Sequence, residues 1–240
     1  MWIEQRFLQD RIRIKTGRID FNNSFAGTDH GASFLNASMG FSPSIVAAPT
    51  FPLPSFGVEA TVSPRSTFNV GVGVVDGRDG APAPASGTSR FRIAQANQQW
   101  TIERSPLAGS LGVGAWQHTG MFSSMTADID AAFDIAGTRG WYATLDQTRW
   151  QGHDRNEDAE NHAEVAAFAQ FGASGLNVPA IHVHRGGGLT LTGVLTARPA
   201  DRIGVGITHA SWGTGRETIV EPARLRPRGH VVTWRTVLSF

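Results

Sequence analysis

The chain has 240 residues, 17% of them charged and 40% hydrophobic, with a formal net charge of +1, 28 glycines, 12 prolines and no cysteine. The near-zero charge and the lack of a basic run argue against nucleic acid as a partner, and the missing cysteines exclude disulfides and thiolate metal sites. No stretch approaches the ~20 apolar residues of a membrane helix, and the opening Met1-Trp2-Ile3-Glu4-Gln5-Arg6 lacks the apolar core of a signal peptide.

Much glycine and proline with little charge suits short strands joined by tight turns, and the spacing of apolar residues agrees. Ile12 and Ile14 alternate with Arg11, Arg13 and Lys15. The stretch Pro43 to Pro54 holds four prolines and is not a regular element. Beyond it, Phe56, Val58, Ala60 and Val62 alternate with Gly57, Glu59 and Thr61, and Phe68, Val70, Val72 and Val74 with Asn69, Gly71 and Gly73. Gly80–Gly87 reads as a loop, after which Leu111, Val113 and Ala115 resume the pattern. Leu189 with Leu191, and Ile203 with Val205 and Ile207, carry it towards the last segment, His230–Phe240. Side chains of a strand point to opposite faces in turn, so each segment has one apolar and one polar or small face. No domain boundary interrupts residues 1–240, which read as a single domain with about eleven or twelve strands.

Two architectures explain such stripes. A soluble β-sandwich that binds glycans turns them inward, whereas a membrane barrel turns them towards lipid and lines a wet lumen with the polar faces. The carboxyl terminus favours the barrel: Val232, Trp234, Thr236, Leu238 and Phe240 share a face, and the chain stops on an aromatic residue.

Seven stretches, in order, resemble the OprB family of carbohydrate-selective porins. They are Phe7-Leu8-Gln9-Asp10 with Arg11 to Asp20, then Phe34-Leu35-Asn36-Ala37-Ser38-Met39-Gly40, then Pro52-Leu53-Pro54 before Gly57-Val58. Val75-Asp76-Gly77, Gly140 to Gln147, Ala197 to Gly204 and Glu217 to Glu221 follow. The resemblance implies an antiparallel transmembrane β-barrel of sixteen strands that lets sugars diffuse across the bacterial outer membrane. It also implies amino-terminal strands and an export signal that this sequence does not show, and a strand pair after Glu221 that is compressed here. The expectation is therefore a partial barrel, or one smaller than the family's, with a non-functional porin fragment as an alternative. Sugars, outer-membrane lipid and lipopolysaccharide are the implied partners. Whether the barrel is a monomer or a homo-oligomer stays open.

If the apolar stripes face lipid, alternation sends Arg11, Arg13, Lys15, Glu59, Glu103, Trp116, His118, Tyr142, Asp146, Arg198, Glu217, Glu221 and Arg235 inward. The residues singled out as pore-lining and sugar-contacting are Arg13, Lys15, Glu59, Glu103, Trp116, Arg198, Glu217 and Glu221. Mixed acids and bases can bond sugar hydroxyls, and an aromatic ring can stack on sugar C–H faces, in a constriction that must bind weakly to let solute leave. Trp116 reads equally as an interfacial girdle residue. The bland reading is that these charges line water and solvate one another.

No enzyme motif, cofactor site or catalytic residue emerges. Asp154 to Glu160 mimics a calcium loop but has Ala159 and Val165 where glycine and a carboxylate are required. His182 and His184 share a strand face without a third ligand and read as surface histidines. Gly71-Val72-Gly73 and Gly204-Val205-Gly206 sit in strand patterns, where glycine relieves crowding on a barrel wall.

Overall fold

The structure, a computed structural model, describes residues 1–45, 48, 50, 53–79, 89–101, 107–123, 134–151, 163–175, 181–193, 201–212 and 230–238. Its strands are β1 (Trp2–Phe7), β2 (Ile12–Ile19), β3 (Ser55–Arg65), β4 (Phe68–Asp76), β5 (Arg90–Thr101) and β6 (Ala108–Ser123). They continue as β7 (Asp134–Gln151), β8 (Glu164–Ser174), β9 (Ile181–Thr192), β10 (Arg202–Trp212) and β11 (His230–Leu238). All eleven belong to one sheet in sequence order, each antiparallel to its chain neighbours. This is the antiparallel meander that successive period-two segments should give, here with short connections at one end and longer ones at the other, and a single sheet is not the two-layered sandwich.

Register places the apolar stripe on one continuous face. Val62 pairs with Val70, Val70 with Ala96, Ala96 with Val113, and Val113 with Ala143. These side chains do not meet a second layer: Val113 is 49% exposed, and Val58, Val72, Val74, Leu111, Leu189, Leu191, Val205 and Ile207 are likewise exposed. The opposite face carries Glu59, Gln95, Tyr142, Asp146, Gln170, His184 and Thr208, all buried. The sheet is therefore inside-out relative to a soluble domain.

The exposed apolar face has two polar or aromatic borders. One is a line of exposed arginines: Arg18 on β2, Arg90 and Arg92 on β5, Arg139 on β7 and Arg185 on β9. Its register drifts steadily, from the row of Phe56 at Arg18 to the row of Val62 at Arg185. A level band crossing tilted strands produces such a drift. The other border is aromatic, with Phe7 on β1, Trp100 on β5 and Trp150 on β7. From Arg92 to Trp100, and from Arg139 to Trp150, the strands run roughly 26 and 36 Å at ~3.3 Å per residue. A tilt of about 40° reduces this to roughly 20–28 Å, close to the ~25 Å apolar band of a membrane barrel.

The connection between β2 and β3 folds onto the buried face. It contains three short 3-10 turns, Phe21–Asn23, Gly31–Ser33 and Ala37–Met39, the first and third capped by Asp20 and Asn36 side chains that accept from Asn22 and Ser38 N–H groups. A bridge between Gly27 and Phe41 draws it into a loop. Phe21, Phe25, Phe34, Met39 and Ile45 are all buried. Phe21 and Phe25 join Phe91, Ile93, Trp116 and Tyr142 of the wall, while Phe34 and Met39 join Phe168. Polar ties run alongside. Ala26 N–H donates to Gln95 Oε1 (2.7 Å), Asp29 and His30 N–H groups donate to the two carboxylate oxygens of Asp146 (3.0 and 3.1 Å), and Gln170 Nε2 donates to the Met39 carbonyl (2.6 Å). One segment reaches β4 through β10 only because the sheet curves around it.

Candidate functional site

The inward segment leaves a polar hollow beside β2 and β3. Lys15 and Glu59 are register partners on those strands, so alternation puts both side chains inward, where Lys15 Nζ lies 2.6 Å from Glu59 Oε1. Ser24, from the segment, donates to Glu59 Oε1 at 2.9 Å and accepts from Lys15 Nζ at 3.4 Å. Glu59 is only 7% exposed, and its other oxygen, Oε2, has no hydrogen-bond partner among the described residues. Such an oxygen is an acceptor waiting for a donor, since an unpaired buried polar atom is costly.

Around that triad lies a cavity of about 260 Å³ bounded by Glu4, Arg13, Asn23, Phe25, Thr61, Asn69 and Asn97 as well. Its two acids and two bases, Glu4, Glu59, Arg13 and Lys15, balance one another, so the site concentrates ions of neither sign. Lys15 also rests over the Trp2 ring, 5.1 Å from its centre. Side-chain amides form the adjoining wall: Tyr142 Oη donates to Gln95 Oε1 (2.7 Å), Gln95 Nε2 to Asn97 Oδ1 (2.5 Å) and Asn97 Nδ2 to Asn69 Oδ1 (3.0 Å). Donors and acceptors in such alternation suit a neutral solute rich in hydroxyl groups.

Of the residues singled out from sequence, Arg13, Lys15 and Glu59 converge here. Trp116 does face inward, but it is 3% exposed and stacked on Phe91 at 5.8 Å and 15°. Its ring is buried in the cluster that Phe21, Phe25 and Ile45 of the inward segment share with the wall, so it is neither a free stacking face nor a girdle residue. Glu103, Arg198, Glu217 and Glu221 lie outside the described residues, as does the Asp154 to Glu160 stretch. The reading of His184 as a surface histidine is corrected: it is buried, with Nε2 2.6 Å from Thr208 Oγ1. No metal-binding cluster occurs among the described residues.

The family model for the carbohydrate-selective porins of the OprB family matches residues 1–229. The chain belongs to that family. Among solved structures, the high-pH structure of Pseudomonas putida OprB superposes with a TM-score of 0.72 at 19% identity, covering 89% of this chain and 54% of that one. At that identity the likeness is one of fold, and this OprB-family chain spans about half the length of that structure. No curated protein sequence matches it.

Sequence reasoning missed Asn23, Ser24, Phe25 and the Gln95–Asn97–Asn69 amides. The amides follow from alternation alone, because Asn69, Gln95 and Asn97 occupy inward positions on β4 and β5. Ser24 depends on the infolding of its segment, which no periodicity announces.

Proposed function

We propose that this OprB-family chain builds the wall and constriction of a passive sugar channel in a bacterial outer membrane. The observation that carries the reading is a charge-balanced, amide-lined hollow on the concave side of a sheet whose other side is apolar over a bilayer-like height. Sugar hydroxyls would donate to Glu59 Oε2 and accept from Arg13 and Lys15, each contact replacing one to water, so that passage stays fast. A wall in lipid must close, because an open edge leaves backbone groups unpaired. Among the described residues β1 and β11 each have a single neighbour, so closure in lipid requires these two edges to be paired.

The test is sugar-dependent swelling of liposomes together with planar-bilayer conductance. Wild type is expected to pass neutral sugars with little preference between anions and cations. Glu59→Gln strands the Lys15 charge and should shift the reversal potential towards anion preference. Lys15→Met should shift it the opposite way. Sugar block of the current should weaken roughly tenfold in either variant, as expected for losing a hydrogen bond to a charged group worth about 1.5 kcal/mol. A folded, inserted protein that passes neither ions nor sugar overturns the channel reading and leaves a non-conducting porin fragment.

The membrane itself is tested on the outer face. Val113→Arg places a guanidinium among exposed apolar residues and should lower stability in lipid by about 2–4 kcal/mol if it sits near the midplane. Unfolding titrations in vesicles would read the loss. A variant as stable as wild type would mean that this face meets water.

A further inference from the structure

We propose that Arg92 and Arg139, with the small-residue groove beneath them, form a binding site for a phosphorylated glycolipid of the outer leaflet. This site rests on the outer-membrane reading above and adds a lipid ligand to it. Arg92 pairs in register with Gln117, and Gln117 with Arg139. All three belong to the exposed face. Their backbones therefore lie two strand spacings apart, about 10 Å, a gap that two arginine side chains can close on one phosphate. The other arginines with a named acid differ: Arg78 is engaged with Asp76, and Arg6 with Glu4. Neither Arg92 nor Arg139 has a carboxylate partner among the described residues.

The groove is an open volume of about 700 Å³ lined by both arginines. Its floor is Ala94 and Ala115, register partners on β5 and β6, and its rims are Val72 and Val74 on one side and Trp141 on the other. Trp141 is braced by Phe171, ring centres 4.9 Å apart. An acyl chain fits such a trough: the alanines leave space, the valines and the indole enclose it, and the charges stand at its head.

Direction comes from the connections. Those at the arginine end, residues 20–54, 77–89, 124–133, 175–180 and 213–229, are longer on the whole than 8–11, 66–67, 102–107, 152–163 and 193–201 at the other. Long connections belong outside the cell, so the arginine line meets the outer leaflet, whose characteristic lipid is the phosphorylated glycolipid of lipopolysaccharide. Two guanidinium groups with no carboxylate partner among the described residues suit its phosphates, and Trp141 lies at the depth where an amphipathic ring is favoured.

The experiment compares wild type with the Arg92→Gln/Arg139→Gln double variant, refolded in detergent and titrated with lipid A, phosphatidylglycerol or inorganic phosphate. Binding is read by native mass spectrometry, and sugar-dependent swelling is measured in parallel. Wild type is expected to retain lipid A at least tenfold more tightly than the double variant, while both conduct sugar alike and phosphate fails to compete. Equal lipid A retention by two conducting proteins overturns the site. Equal competition by phosphatidylglycerol overturns its assignment to the glycolipid. Failure of both proteins to insert removes the membrane reading, and this site with it.

Discussion

Replacing Asp146 by alanine is expected to release the inward segment from the wall. The Asp146 carboxylate sits on β7, buried, and holds the N–H groups of Asp29 and His30 at 3.0 and 3.1 Å. Both are hydrogen bonds to a charged acceptor, each worth about 1.5–3 kcal/mol, and alanine leaves the two donors without a partner. The local free energy of opening should therefore fall by on the order of 3 kcal/mol, speeding hydrogen exchange at those two amides by roughly a hundredfold. Asp146→Asn keeps one acceptor oxygen in place of two and should fall between. The protection of strands β3 to β6 should not change. Unaltered exchange at Asp29 and His30 in the alanine variant would show that the segment is held by its apolar anchors alone.

The second expected result concerns those anchors. Phe21 is fully buried, with its ring edge-on to Phe25 at 5.2 Å and tilted against Phe91 at 5.6 Å. Phe21→Ala should cost about 3–5 kcal/mol, as truncation of a buried phenylalanine does. Gly73 on β4 faces it so closely that an added Cβ would stand 2.6 Å from the Phe21 ring. Gly73→Ala should thus destabilise the wild type by pushing the ring aside, yet be nearly neutral once Phe21 has become alanine. A double-mutant cycle by urea unfolding in detergent should yield a coupling of about 1–3 kcal/mol. Additive losses would place the ring elsewhere. The same reasoning applies at Gly204, where a Cβ would lie 2.7 Å from the Phe34 ring.

These pairs show what alternation could and could not reveal. The strands around Val58, Val72, Val113, Leu191 and Val205 were legible because a strand with one apolar face writes period two into the chain. The convergence of Lys15 and Glu59 followed from the same parity. The glycines at 71, 73, 204 and 206 could be read as relief of crowding, but what crowds them came from a distant segment. That segment carries no period. Its trace in the sequence is compositional: Phe21, Phe25, Phe34, Met39, Phe41 and Ile45 are too apolar for a connection left in water. Trp116 meets the same limit. Parity gave its direction, while its cover depends on contacts that only the folded chain brings together. His184 reads as a surface group in the sequence because a strand pattern alone does not say that the inner face is occupied.

The reach of the inward segment also constrains the order of assembly. Its ties join residues 117 apart at Asp29 and Asp146, 132 apart at Ser38 and Gln170, and 169 apart at Ser33 and Arg202. Loops of that length close slowly, after the local hairpins have formed. The ties of the segment to Asp146, Gln170 and Arg202 therefore belong to the late steps of assembly, after the hairpins of the wall.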